Sequence, residues 1–205
     1  MKLPGMFPEC SVRSDPASDF PSAWNQMLAD GPNHAGNRVS DRFELPQGSN
    51  TRAMLSDVVE IGVLVPRKKK DSKNQCTWRL CLLLPHEHAV FFYFPAMQFL
   101  SAQFESPAQY REVATCLGAL QFSRFSGRLI WPTFVEEKSR QISQLCSRRV
   151  IPFFNHLTGD YDCWVDDGFS DTWSYDHETC RLNLYSTGGF AQWFDKRFTF
   201  YTNLR

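Results

Sequence analysis

Short runs of aromatic and β-branched residues, each bounded by turn-forming residues, constrain the fold of this chain more than any other feature of its sequence. Such runs are typical of strands in a half-buried or fully buried sheet. They form two groups, at residues 58–65, 77–84, 89–94, 150–154, 161–165, 172–176 and 181–185. Short polar turns separate the strands of the second group, so we expect its neighbouring strands to pair in antiparallel fashion.

Segments with helical periodicity alternate with these runs. Pro21 suits the first turn of a helix over residues 20–31, and Gly31 suits its end. Further helices are predicted where apolar residues recur at three- and four-residue spacing, at residues 106–118, 134–148 and 188–198. Residues 32–52 are interpreted as a loop. Together the elements predict an α+β fold, with a mainly antiparallel or mixed twisted sheet and helices packed against it.

The composition indicates one folded domain. At 205 residues, with 42% hydrophobic and 15% aromatic residues, the chain can bury one substantial core. No linker rich in Gly, Pro or Ser divides the sequence, so residues 1–205 are interpreted as a single domain.

Charge, hydropathy and cysteine content suggest where such a chain works. No apolar run reaches the roughly 18 residues of a membrane-spanning helix, so no membrane is expected among its partners. Basic residues form only small patches, such as residues 67–70, which argues against nucleic acid as a partner. The 7 cysteines are scattered and odd in number, which favours reduced thiols and a cytoplasmic location.

The segment from Ile151 to Glu178 is strongly acidic, although the formal net charge of the chain is zero. No Lys or Arg occurs between residues 151 and 180. The acids of the segment are Asp160, Asp162, Asp166, Asp167, Asp171, Asp176 and Glu178. Such a segment can hold a cation, supply catalytic carboxylates, stay solvated as a hairpin, or form a surface for a basic partner.

The spacing of the candidate ligands disfavours a metal site. The run that starts at Asp166 lacks the oxygen ligands at alternate positions that a calcium loop requires. A second candidate set lacks the two-to-four-residue spacing of zinc knuckles and consists of Cys76, Cys81, His86 and His88. No metal and no other cofactor is therefore expected.

An enzyme remains an alternative on residue types alone. Cys163 together with His177 or His156 and an aspartate would supply a nucleophile and a base. However, the sequence contains no nucleophile elbow, P-loop or dinucleotide fingerprint, and the alternation within residues 161–165 favours a core position for Cys163. We therefore expect no catalytic residues and no enzymatic activity.

The order of motifs in the last third of the chain resembles the SUKH superfamily, which includes bacterial toxin-immunity proteins and fungal cell-wall regulators. The motifs are IPF at residues 151–153, GDYDCWVDD at 159–167, WSYDHE at 173–178 and GGFAQWF at 188–194. They span residues 150–194. The family domain would either span the whole chain or begin near residue 100, with the first hundred residues as an elaboration. The resemblance implies an α+β fold without catalytic residues. It also implies a cytoplasmic immunity protein that occludes the active site of a cognate toxin, or alternatively a regulatory or scaffolding adaptor.

Strand alternation divides the acidic segment into two roles. Tyr161, Cys163 and Val165 would face the core, while Asp160 would shape the turn before them. The residues of the opposite face and the next turn are predicted to contact a toxin with a basic active-site face, because Trp anchors and charged neighbours make strong interface centres. These predicted contact residues are Asp162, Trp164, Asp166, Asp167 and Asp171.

Overall fold

The computed structural model of the chain describes residues 2–67, 78–93, 107–122, 128–129, 132–166 and 168–203. Within these ranges the chain forms seven helices and ten strands. The helices are α1 (Leu3–Met6), α2 (Ser22–Asp30), α3 (Pro32–Arg42), α4 (Asn50–Ser56), α5 (Ala108–Cys116), α6 (Pro132–Cys146) and α7 (Gly189–Asn203). The strands are β1 (Cys10–Arg13), β2 (Glu60–Pro66), β3 (Arg79–Leu83), β4 (Ala89–Tyr93), β5 (Ala119–Phe122), β6 (Arg128–Leu129), β7 (Val150–Asn155), β8 (Tyr161–Val165), β9 (Gly168–Asp176) and β10 (Arg181–Thr187).

The described strands lie side by side in chain order, and each pairs antiparallel with the next. β1–β5 and β7–β10 form two groups of five and four strands, and the two-residue strand β6 connects them. The predicted α+β fold with an antiparallel sheet is confirmed. All seven predicted strands are present, with bounds that differ by a few residues.

The interpretation of residues 32–52 as a loop is wrong, because α3 and most of α4 lie there. Pro32 occupies the first turn of α3, where its missing N–H costs no hydrogen bond. Ser49 caps α4 by accepting a hydrogen bond from the Arg52 backbone N–H at 3.1 Å. The buried side of α3 carries small residues, so the apolar stripe that would reveal a helix in the sequence is weak.

Helices cover both faces of the sheet. One face packs against α2, α3, α5 and α7 and forms the main core, in which the largest buried rings are Trp24, Phe43, Phe153, Trp164, Trp193 and Phe194. On the opposite face, α1 packs over β2–β4, and α6 packs on β7. None of the helices in the described part of the chain combines the length and apolar character that crossing a membrane requires.

Candidate functional site

Strand β8, which carries most of the acidic motif, is buried along its whole length. Tyr161 and Cys163 are in the core, as the alternation predicts. Asp162 and Trp164 are predicted to face outward, but both side chains are 0% exposed. That part of the prediction is wrong because β8 lies between β7 and β9 and helices cover both faces of the sheet.

Asp162 is the centre of a buried ion pair with helix α7. Arg197 donates from Nε to Oδ2 at 2.7 Å and from Nη2 to Oδ1 at 2.5 Å. Trp193 Nε1 also donates to Oδ2 at 2.7 Å, and His156 Nε2 lies 3.1 Å from Oδ1. The base that compensates this acid therefore comes from outside the acidic segment, one turn after Trp193 on α7.

The two charges of this pair stabilise each other in the core. Burial raises the pKa of Asp162, but the His156 and Arg197 side chains lower it more, so the carboxyl pKa lies below its ordinary value. Burial likewise disfavours the charged guanidinium, and the hydrogen bonds to Asp162 reverse that effect and raise the pKa of Arg197. The guanidinium also lies 3.7 Å from the centre of the Tyr185 ring. Asp162 is thus a structural residue of the core.

Trp164 is a second core residue among the predicted contacts. Its ring stacks on Phe153 at 4.1 Å between centroids and meets Tyr110 edge-on at 5.2 Å. A ring held in this way is not available to a partner.

Asp160 organises the turn between β7 and β8, as predicted. Gly159 has φ of +107°, and a Cβ at this position would lie 2.8 Å from the His177 ring. Asp160 Oδ1 accepts hydrogen bonds from the backbone N–H of His177 at 3.0 Å and from its Nδ1 at 2.7 Å. Thr158 donates to the other carboxylate oxygen. The turn is therefore fastened to the end of β9.

Replacing Asp160 by asparagine is expected to lower the pKa of His177. The hydrogen bond to Asp160 raises that pKa above 6.5, whereas burial opposes the shift. An NMR titration of the His177 ring measures the change, and Glu178→Gln, which removes a more distant charge, should change it less. The contact stabilises the turn most below pH 6.5 and above pH 3.8, because the pKa of His177 is raised and that of Asp160 is lowered. An unchanged His177 pKa in Asp160→Asn would contradict this account.

Among the described residues, one group of three side chains could hold a metal ion: Asp160, Asp176 and His177. The ligand atoms lie within 4.8 Å of one another. The Asp160 and His177 atoms already bind each other, and Asp176 accepts hydrogen bonds from the backbone and hydroxyl of Thr179. Hydrogen bonds within the two turns therefore explain why these three side chains lie close together. The cysteine and histidine set of the sequence has Cys81 buried in β3, while Cys76 lies outside the described residues.

The environment of Cys163 does not suit a nucleophile. Its side chain is buried, and burial raises the pKa of the thiol well above its ordinary value, with the nearby charge of Asp162 adding to the effect. The thiol therefore stays protonated at neutral pH. Residue types that suggest a cysteine enzyme in the sequence do not form a reactive thiol at this position.

The other predicted contacts differ in their surroundings. Asp166 is exposed in the turn after β8 and accepts a hydrogen bond from Arg148 Nη2 at 2.6 Å. Asp171 is half-buried on β9. Asp167 lies outside the described residues. The acidic segment therefore has basic partners from elsewhere in the chain, Arg148 before it and Arg197 after it.

The last two strands carry a partly exposed apolar patch beside these acids. Trp173 on β9 lies directly opposite Leu184 on β10, so both side chains point to the same face of the sheet. By the same alternation this side of the two strands also carries Tyr175, which is buried opposite Leu182. Its remaining part, which we name the Trp173 face, consists of Asp171, Trp173, Leu182 and Leu184. Leu184 is 52% exposed, and the other three are partly exposed.

Arg148 lies at the border of the Trp173 face. Its guanidinium is 5.3 Å from the centre of the Trp173 ring while it binds Asp166. Helix α7 packs on β9 and β10 from the Asp162 side of the sheet, opposite the Trp173 face. Trp164 is predicted to be the aromatic anchor, but its side chain is buried, whereas Trp173 is partly exposed. The feature of the sequence that indicates partial exposure of Trp173 is the position of its strand, which is the second-last one along the described sheet.

A separate surface cleft of about 500 Å³ lies between α2, α3 and the end of α5. Two arginines on α3 line it, and both are held by carboxylates: Arg38 by Asp30 and Arg42 by Glu112. Asp41, also in the lining, binds Arg52. The charged groups of the cleft are therefore compensated within the protein.

Comparisons with protein-family models, with curated proteins and with solved structures give no match for this chain.

Proposed function

We propose that the protein is an immunity protein that binds a cognate bacterial toxin in the cytoplasm and neutralises it by occluding the toxin's active site. The motif order from IPF to GGFAQWF supports this proposal through its resemblance to the SUKH superfamily. The partner would be a protein toxin with a basic active-site face.

The observation that carries the proposal is the pair of Trp173, which is partly exposed, and Leu184, which is 52% exposed. A tryptophan and a leucine in register on two adjacent strands form a flat apolar centre on the surface. Interface residues contribute most to affinity in such an apolar centre, because the polar groups around it exclude water once a partner is bound. Binding of this kind needs no chemistry from the protein itself.

The charges around the apolar pair favour a basic partner. Asp171 lies on the same face, and Asp166 lies in the neighbouring turn. Arg148 binds Asp166 in an exposed ion pair, which is worth little in water. A lysine or arginine of a partner can therefore replace Arg148 at Asp166 at a small cost, and the acids would speed association.

Replacing Trp173 and Leu184 together by alanine is expected to weaken binding to the cognate toxin about 10- to 100-fold, because the apolar centre is lost. Isothermal titration with the purified cognate toxin measures affinity, and survival on toxin co-expression measures protection. The matched control is Val59→Ala, since Val59 and Leu184 are each 52% exposed but Val59 lies next to β2.

The control should keep wild-type affinity and protection, and circular dichroism should show both variants folded. Equal affinity of the double variant and the wild type would contradict the role of the Trp173 face. Capture of a non-toxin partner that requires Trp173 and Leu184, with no protection against the toxin, would instead favour the regulatory adaptor.

A further inference from the structure

Two half-exposed cysteines meet at the end of α6. Cys146 is the last residue of that helix, and Cys180 lies in the turn between β9 and β10. Cys146 Sγ is 3.7 Å from the carbonyl oxygen of Cys180, across 34 residues of sequence. The sulfur of one cysteine thus contacts the backbone of the other.

The sulfur of Cys180 is held only by weak contacts. Tyr175 donates its hydroxyl to Cys180 Sγ at 3.6 Å, and that sulfur lies 3.7 Å from the carbonyl oxygen of His177. Thiols are weak donors and acceptors, so rotation of the Cys180 side chain costs little. Burial raises the pKa of Cys146, and a negative charge on Cys180 raises it further, as expected for two neighbouring sulfurs.

We propose that Cys146 and Cys180 form an oxidation site that reacts with peroxides and closes into a reversible disulfide. The other described cysteines do not offer such a pair. Cys10, Cys81 and Cys163 are buried, and Cys116 lies in the cleft beside α2. Cys146 and Cys180 combine partial exposure with contact between the two residues.

The reaction balances with a peroxide as the oxidant. The thiolate of Cys180 attacks one peroxide oxygen, the O–O bond breaks, and the sulfur becomes a sulfenic acid, while the departing oxygen takes up the proton that the thiol released and leaves as water or an alcohol. The sulfur of Cys146 then attacks the sulfenic sulfur, the S–O bond breaks, and the departing hydroxide takes the Cys146 proton as water. The two thiols lose two electrons in total, and the peroxide gains them. A dithiol reductant reverses the bond by thiol–disulfide exchange.

The disulfide would lie next to the Trp173 face. Arg148, two residues after Cys146, binds Asp166 and lies over the Trp173 ring. A bond from Cys146 to Cys180 would fix the end of α6 to the β9–β10 turn and restrict the movement of Arg148. This site does not depend on the identity of the partner.

Oxidation of the native full-length protein with hydrogen peroxide tests the site. Free thiols should fall by two of the 7, and mass spectrometry should show a loss of about 2 Da that dithiothreitol reverses. Cleavage after Lys, Arg and Glu separates the three cysteines of this region, since Cys146 falls in residues 141–148, Cys163 in 150–178 and Cys180 in 179–181. A linked pair of 141–148 with 179–181 is the expected product.

Three variants sharpen the result. Cys146→Ser and Cys180→Ser should each abolish the linked peptide, whereas Cys163→Ser should keep it. The oxidised wild-type protein should also unfold several degrees above the reduced form, because the bond restricts the unfolded chain. A link from 141–148 to 150–178, or no link while the protein stays native, would overturn the proposal.

Discussion

Replacing Asp162 by asparagine is expected to destabilise the folded chain by about 3–5 kcal/mol, the cost of leaving one member of a buried ion pair without its partner. Arg197 directs Nε and Nη2 at the two carboxylate oxygens. An asparagine at this position carries no charge, and its NH₂ group would face one of the two Arg197 donors without being able to accept a hydrogen bond from it. Urea unfolding followed by tryptophan fluorescence at pH 7 measures the loss of stability.

The matched control is Asp166→Asn, which breaks the exposed ion pair with Arg148. That change should cost about 0–1 kcal/mol, because solvent screens exposed charges. Adding Arg197→Met to Asp162→Asn removes the orphaned guanidinium, so the double variant should be more stable than the sum of the single changes implies. Similar stabilities of Asp162→Asn and Asp166→Asn would contradict a structural role for the buried pair.

The buried pair also gives stability a defined dependence on pH. Because the pKa of Asp162 in the folded chain is lowered from 3.8, its contribution is complete above that value and is lost as pH falls through the folded-state pKa. The wild-type protein should therefore lose more stability in acid than Asp162→Asn, whose position 162 does not titrate.

The strands could be predicted from the sequence because each has a local signal. Apolar alternation and turn residues bound every strand of the second group, and the observed register keeps Tyr161 and Cys163 on one face. Helix α3 lacked such a signal, since it buries Ala35, Gly36 and Ser40 and only Val39 is strongly apolar. Its burial depends on contacts with α4 and the sheet, which no local pattern reveals.

The candidate site could be predicted only in part, for a related reason. Alternation divides β8 into two faces, but it does not reveal that both faces are covered. The partner of Asp162 is Arg197, 35 residues later. Trp193 and Arg197 are four residues apart on α7, and both donate to the Asp162 carboxylate. An arginine on the apolar side of a predicted helix was therefore the one indication in the sequence that a buried carboxylate pairs with it. An acidic segment without local bases is therefore weak evidence for an exposed acidic surface.

Replacing Gly36 by alanine is expected to destabilise the chain by about 3 kcal/mol or more, because the new methyl group has no room. An ideal Cβ at this position would lie 1.6 Å from the carbonyl oxygen of Leu55 and 3.1 Å from Val58 Cγ2. The nearer atom belongs to the backbone of α4, so α3 and α4 would have to separate. Urea or thermal unfolding measures the effect.

The sign of the effect distinguishes packing from helix propensity. Alanine is favoured over glycine inside a helix by about 1 kcal/mol, so propensity alone predicts that Gly36→Ala stabilises the protein. Gly5 in α1 is the matched control, because nothing lies within 4 Å of the corresponding Cβ. Gly5→Ala should therefore be neutral or slightly stabilising. If Gly36→Ala behaved in the same way, the close approach of α3 to α4 would be refuted, and with it the reason that a segment with so little apolar character folds as a helix.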